Sequence, residues 1–346
     1  MKKLPIDGKN LANTIKVKEI GFELTDKCNV PCRLCFKKKP DTNRTLPFEK
    51  IIEVIDNPMF AYPIDAVHLM GNEPLTHPSI NVLFESLTQY ILKGRIATIG
   101  LMTNGYDETT LMNLLAENEE YTRCIQIVFS MRGFGTEHDS LLGVEGAFTR
   151  TLKTIKRVSE QYPEIVLRMI FAVYPSNIRD MKKAYEFCSL NNIKLYFSFA
   201  GSSVFDPADE RDAFRQNVSF SNDLKEKIVD NLREILEMET TFHGKILYMR
   251  YLSSAIKYLR NELHIESCFT PEYDLMVDKQ GDLYPCLYQK PVANIFQKDW
   301  SGAFHESTYL SIIAQAQKGN CPGCFDHLGY LRCRNFNKKY SILTDT

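Results

Sequence analysis

Three cysteines fall within the eight residues Cys28-Asn29-Val30-Pro31-Cys32-Arg33-Leu34-Cys35, spaced C-x3-C-x2-C. A loop of this length can turn three thiolates toward one metal centre, one fewer than a closed tetrahedral or cubane site needs. Unless a distant side chain fills the gap, one metal position stays open to a substrate or cofactor, which is the arrangement of a catalytic centre. Two metals suit such a donor set. One is zinc, completed by a remote histidine; the other is an iron–sulfur cluster, which the spacing favours because zinc sites usually use paired C-x2-C units. Core thiols without a metal are the bland alternative.

A second set of cysteines follows near the C-terminus: Cys268, Cys286, Cys321, Cys324 and Cys333. Asp278-Lys279-Gln280-Gly281-Asp282 reads as a hairpin turn between Leu275-Met276-Val277 and Leu283-Tyr284, which brings the flanking thiols of Cys268 and Cys286 together. Cys321-Pro322-Gly323-Cys324 adds a local chelate. Short strands, turns and these five cysteines mark a small metal-dependent module, with a zinc ribbon as its plainer reading. Cys124 and Cys188 read as small apolar fillers.

Ten cysteines without an export signal suggest metal binding rather than a disulfide frame, and hence a reducing, cytoplasmic setting. The 346 residues suffice for one large domain or two smaller ones; 44% are hydrophobic and 25% charged, as in ordinary globular proteins. A formal net charge of −1 gives no electrostatic case for nucleic acid or an anionic membrane. The chain has no run of some 18 apolar residues, so no membrane-spanning helix is expected. Lys37-Lys38-Lys39 reads as solvated surface close to the cysteine loop.

The elements that must position the first cysteine loop are repetitive. Apolar, β-branched runs at 18–25, 66–70, 96–102, 124–130, 165–173 and 193–199 alternate with helical patterns at 47–57, 78–93, 107–117, 147–160 and 177–190. Six β/α repeats imply a parallel sheet, and six are too few for a closed eight-stranded barrel. The expected fold is α/β, a partial (β/α)6 parallel barrel or a doubly wound sheet, with a small C-terminal module. Active sites in such sheets lie at the C-terminal ends of the strands. The cysteine loop follows the first strand and sits there. So do Met70-Gly71-Asn72-Glu73-Pro74-Leu75, Met102-Thr103-Asn104-Gly105 and Ser130. An irregular stretch at 201–222 and helices at 223–238 and 249–262 then lead to the module, dividing the chain into 1–215, 216–264 and 265–346.

C-x3-C-x2-C after the first strand, Gly-Asn-Glu-Pro after the second and Thr-Asn-Gly after the third together resemble the radical S-adenosylmethionine (radical SAM) superfamily. Ser130-Met131-Arg132-Gly133, with His138-Asp139 and Gly143 downstream, is similar to the matching stretch of members that carry auxiliary clusters. The resemblance implies that Cys28, Cys32 and Cys35 bind three irons of a 4Fe–4S cluster whose fourth iron is chelated by the amino and carboxylate groups of SAM. Gly71, Asn72 and Glu73 would lie along the methionine part of SAM. Ser130 would meet its ribose or carboxylate, and Arg150 is a further candidate for the carboxylate, with a solvent-facing helix residue as the alternative. An electron passed to the sulfonium would give a 5′-deoxyadenosyl radical that takes a hydrogen atom from the substrate. Two departures stand out: Leu34 precedes the third cysteine where an aromatic is common, and Asn72 replaces a glycine.

The C-terminal cysteines resemble the twitch module, a shortened SPASM domain, which implies one auxiliary 4Fe–4S cluster held by Cys268, Cys286, Cys321 and Cys324, with Cys333 able to replace one ligand. The implied partner is an electron donor such as flavodoxin or ferredoxin. The expected reaction is an oxidation or dehydrogenation of a small polar metabolite: a sugar, aminocyclitol or nucleoside. A small substrate is put first because only some 17 residues precede the first strand, too few for a peptide-leader-binding domain. The alternatives are a maturase acting on a ribosomally made peptide and, in another class, a non-catalytic zinc scaffold. His138-Asp139 reads as a proton-handling pair or a structural loop contact, and no residue is singled out as catalytic.

Overall fold

The computed structural model describes residues 15–35, 43–199, 220–242, 245–263, 267–286 and 289–320. Cys321, Cys324, Cys333, the Lys37 group and most of the 201–222 stretch lie outside them.

Six strands, β1 (Glu19–Glu23), β2 (Ile64–Met70), β3 (Ile96–Thr103), β4 (Ile125–Met131), β5 (Val166–Val173) and β6 (Lys194–Phe199), pair in sequence order, every pair parallel. They match the six runs read from the sequence. Each junction carries a helix: α1 (Phe48–Ile55), α2 (Ile80–Leu92), α3 (Glu108–Ala116), α4 (Thr136–Leu142), α5 (Ala147–Gln161) and α6 (Met181–Leu190). The result is the expected partial (β/α)6 barrel. Residues three and four apart bury one stripe of each long helix, as with Thr151, Thr154, Ile155 and Val158 on α5. On the strands burial alternates. Met169, Phe171 and Val173 of β5 enter the core, and Phe171 packs on Phe134 and Phe197, while Arg168, Ile170 and Ala172 face the other, concave side. The concave side is tightly filled near β1: a Cβ on Gly21 would come within 2.7 Å of the Met276 side chain and 3.3 Å of that of Met70.

The predicted hairpin forms, as β7 (Asp274–Val277) and β8 (Asp282–Tyr284), followed by β9 (Ala293–Asn294). It joins the barrel's own sheet: β7 runs parallel to β1, giving the order β6-β5-β4-β3-β2-β1-β7-β8-β9. At the opposite edge, α7 (Asn222–Phe242) and α8 (Ile246–Leu259) close over β6. The buried Tyr251 hydroxyl accepts from the Phe197 N–H at 2.7 Å and donates to the Phe197 carbonyl at 3.0 Å, satisfying edge groups that would otherwise face no strand. No helix among the described residues is long and apolar enough to cross a membrane.

Candidate active site

The loop Cys28–Cys35 leaves the C-terminal end of β1, and the loop after β2 is laced onto its root. The Leu24 N–H donates to the Met70 carbonyl (2.8 Å), the Asn72 N–H to Thr25 (3.2 Å) and the Glu73 N–H to Lys27 (3.1 Å). The Asn72 side-chain amide donates to the Asp26 carbonyl at 2.7 Å. Gly71 is required by this lacing: its φ is +134°, and a Cβ there would stand 3.1 Å from the Thr25 oxygen and 3.2 Å from the Leu24 nitrogen.

The loop after β3 is tied in through Glu73. Its carboxylate is fully buried and accepts from the backbone N–H groups of Leu75 (3.3 Å) and Asn104 (2.8 Å). Burial raises its pKa to about 7, against the lowering effect of those amides. Glu73 is thus a buried brace between two loops. Asn104 carries the connection on: its side-chain amide donates to Asn29 Oδ1 at 2.7 Å and reaches Cys28 Sγ at 3.8 Å. The carbonyls of Asn104 and Gly105 are held in turn by the hydroxyls of Thr151 (3.1 Å) and Thr154 (2.8 Å) on α5.

The floor of the cysteine loop is α4, which the sequence reading did not foresee. The Arg33 N–H donates to the Leu141 carbonyl at 2.9 Å, and Cys32, buried, packs with Val30, Leu142 and Ala147. Cys35 is half-buried against the same cluster, and Cys28 stands at the solvent-facing rim. Desolvation raises the Cys28 thiol to about 12, and Glu73, Cys32 and Cys35 add smaller effects in the same direction. Among the described residues no three His, Cys, Asp or Glu side chains stand at metal-chelating geometry. The donor set fits an iron–sulfur centre: soft thiolates on one loop, open on one side. Beside it, Asn72 Oδ1 is buried without a hydrogen-bond partner.

The other singled-out residues are placed as follows. Ser130, the last but one residue of β4, lies on the concave side, in register with Ile170. Arg150 is exposed on α5, its guanidinium 4.2 Å from the centre of the Tyr106 ring, and Tyr106 borders the cysteine-loop cluster. His138 is fully buried; its Nδ1 accepts the Arg132 N–H at 3.2 Å, and burial lowers its pKa to about 4. Asp139 caps α5, accepting from Gly146 (2.8 Å) and Phe148 (2.7 Å). Those contacts make His138-Asp139 a structural pair. Cys188 is buried against Met169 sulfur. Cys268, buried, donates its N–H to Ala316 at 2.9 Å, and Cys286 is half-buried just beyond β8.

A family model, that of the radical SAM superfamily, matches residues 22–188. The matched segment runs from β1 into α6, just under half of the chain. Radical SAM domains work with a 4Fe–4S cluster and S-adenosylmethionine. Among curated relatives, the antilisterial bacteriocin subtilosin biosynthesis protein AlbA of Bacillus subtilis (strain 168) is 23% identical over 350 residues, covering 92% of this chain and 68% of AlbA. A probable GTP 3′,8-cyclase of Methanocaldococcus jannaschii is 22% identical over 255 residues, covering 72% of this chain and 76% of the cyclase. Among solved structures, native anSMEcpe with bound AdoMet superposes with a TM-score of 0.62 at 17% identity, covering 93% of this chain and 92% of that one. Streptococcus suis SuiB bound to precursor peptide SuiA gives 0.59 at 16% identity, covering 86% of this chain and 67% of that one. At these identities the radical SAM structures share the fold with this chain.

Proposed function

We propose that this radical SAM enzyme modifies a peptide, the second of the substrate classes considered from sequence. The support is the company the chain keeps over most of its length. AlbA is a bacteriocin biosynthesis protein, and structures of this fold include SuiB with a precursor peptide and anSMEcpe with a Cp18Cys peptide. The small-metabolite reading, put first from sequence on the length of chain before β1, is favoured by the probable GTP 3′,8-cyclase, which matches 72% of this chain against the 92% matched by AlbA.

In this proposal Cys28, Cys32 and Cys35 hold the N-terminal cluster, and the open side of their loop receives SAM. Bound there, cluster and SAM supply a 5′-deoxyadenosyl radical able to take a hydrogen atom from a C–H bond. The backbone of Gly71 and Asn72 lines the methionine end, and Asn72 Oδ1 accepts from the SAM ammonium group. Glu73 acts through the backbone it braces. Ser130 and Arg150 bind the ribose and carboxylate side, Arg150 being held over Tyr106 at the rim. Residues 1–215 form the barrel, 216–264 the helical connection and 265–346 a twitch/SPASM-like module, where Cys268, Cys286, Cys321 and Cys324 hold an auxiliary 4Fe–4S cluster and Cys333 is the alternative ligand. Flavodoxin or ferredoxin serves as the electron donor.

The test is deuterium transfer. Anaerobically reconstituted protein is given SAM, reductant and perdeuterated candidate peptides encoded near its gene, with sugars and nucleosides as the comparison set. Deuterium in 5′-deoxyadenosine from a peptide is the expected result. Deuterium only from a small metabolite overturns the peptide reading.

A further inference from the structure

Arg132, the first residue beyond β4, has no part in the roles above, yet its side chain runs to the cysteine loop. Its Nη1 donates to the carbonyl oxygen of Leu34, between Cys32 and Cys35, at 3.4 Å. It also donates to the hydroxyl of Tyr174, a buried residue just beyond β5. The guanidinium carbon lies 5.8 Å from the centre of the Tyr174 ring, and the Tyr174 hydroxyl itself reaches Leu34 O at 3.4 Å. Asn177 fixes both backbones: its amide donates to Arg132 O (2.9 Å) and Ala172 O (2.7 Å), and its Oδ1 accepts from Tyr174 N–H (2.8 Å). Arg132 is therefore held in place from β4, β5 and the cysteine loop at once.

Every one of its hydrogen-bond partners is neutral. The carboxylates on neighbouring segments are engaged elsewhere: Glu137 with Arg179 at 3.8 Å, Asp180 with Lys183 at 3.0 Å, and Asp139 at the start of α5. Among the described residues no carboxylate lies within ion-pair distance of Arg132. Beyond Tyr174, the groups that would favour its charge, once ionised, are the thiols of Cys32, Cys35 and Cys28. A guanidinium keeps its proton in proteins, and enclosing it without a counter-charge is costly.

We infer that Arg132 is a positioning residue for the N-terminal cluster: its fixed charge offsets the three cysteine thiolates, favours entry of the electron, and through Leu34 O holds the Cys32–Cys35 segment. The inference rests on the proposed ligand set Cys28, Cys32 and Cys35. Reduction there moves one electron from a low-potential donor, makes and breaks no bond, takes up no proton and adds one negative charge. A cation hydrogen-bonded to the loop that carries the ligands stabilises the more negative form, which raises the potential.

The test uses full-length protein, reconstituted anaerobically and titrated with dithionite, with electron paramagnetic resonance as the readout. The signal that changes on adding SAM reports the N-terminal cluster. Arg132→Met keeps the length of the side chain and removes the charge. At the wild-type midpoint its reduced-to-oxidised ratio falls about tenfold, a downward shift of about 59 mV. Arg132→Lys restores the charge without the planar fork and recovers most of that loss. Tyr174→Phe keeps the cation, leaves the ratio within about twofold and lowers thermal stability through the lost hydroxyl contacts. Loss of cluster iron in Arg132→Met with retention in Arg132→Lys also supports the role. An unshifted Arg132→Met, or an Arg132→Lys that falls as far as Arg132→Met in potential or in iron, overturns it. A wild-type protein with no SAM-responsive signal overturns the ligand assignment instead, so the two failures are distinct.

Discussion

The two cysteine-bearing regions of this molecule are built in opposite ways. The N-terminal set lies on one short loop, and loops from β2 and β3, together with α4, are fastened to it by backbone and side-chain hydrogen bonds. The C-terminal set is dispersed. Cys268 and Cys286 stand on either side of a hairpin, and their proposed partners come from a segment beyond residue 320. A local ligand set can be read from spacing and is held by its neighbours; a dispersed one depends on the fold to assemble it. Besides the pairing of β7 with β1, an ion pair joins the two regions. Lys279, in the hairpin turn, sits 2.5 Å from Asp26, two residues before Cys28, and both side chains are about nine-tenths buried (9% and 11% exposed).

The comparison is broken most sharply by paired cysteine variants. Cys32→Ala is expected to abolish SAM cleavage to 5′-deoxyadenosine while about four irons per chain remain in the C-terminal cluster. Cys286→Ala should show the reverse, keeping SAM cleavage and losing the auxiliary iron. Iron analysis and chromatography of 5′-deoxyadenosine check both. Cleavage that persists in Cys32→Ala would sink the division of labour.

Next in size is the joint between the regions. Lys279→Met removes one partner of a largely buried pair and should cost about 3 kcal/mol of stability, read as the free energy of urea unfolding. A change under about 1 kcal/mol would mean that the pair is screened and the two regions are not welded there. Gly71→Ala tests the lacing inside the N-terminal region. A Cβ at φ +134° should cost about 1–3 kcal/mol and weaken SAM binding by calorimetry, because the backbone that lines the methionine end must shift.

The smallest effect is a slope. Burial holds the Glu73 carboxyl near pH 7 rather than at its ordinary 4.5, so between those values the folded chain retains a proton that the unfolded chain has lost. Stability from this group falls as pH rises from about 4.5 to about 7. In Glu73→Gln that slope disappears. Overall stability should drop by about 1–2 kcal/mol, because the new amide turns an N–H toward a backbone donor. Thermal melts across this pH range compare the two proteins.

Much of this architecture was legible in the residues. The six strands announce themselves by β-branched runs, and the cysteine loop by local spacing that needs no tertiary knowledge. What escaped notice depended on distance or brevity. Helix α4 spans seven residues of which only Leu141 and Leu142 are long and apolar, too few to show a helical period. The sequence places Glu73 along the methionine part of SAM but does not show that its carboxylate braces two loops; its place before Pro74, capping a short turn, is the available hint. Arg132 had no local signature, since its partners Leu34 and Tyr174 lie 98 and 42 residues away. The pairing of β7 with β1 joins segments some 250 residues apart, which no periodicity reports.

That last pairing has a mechanical consequence. Because β7 is stitched to β1 by main-chain hydrogen bonds, a tug on the C-terminal third of the chain is delivered to the strand whose next residues bear Cys28. The sheet thus acts as a stiff lever between the hairpin and the cysteine loop.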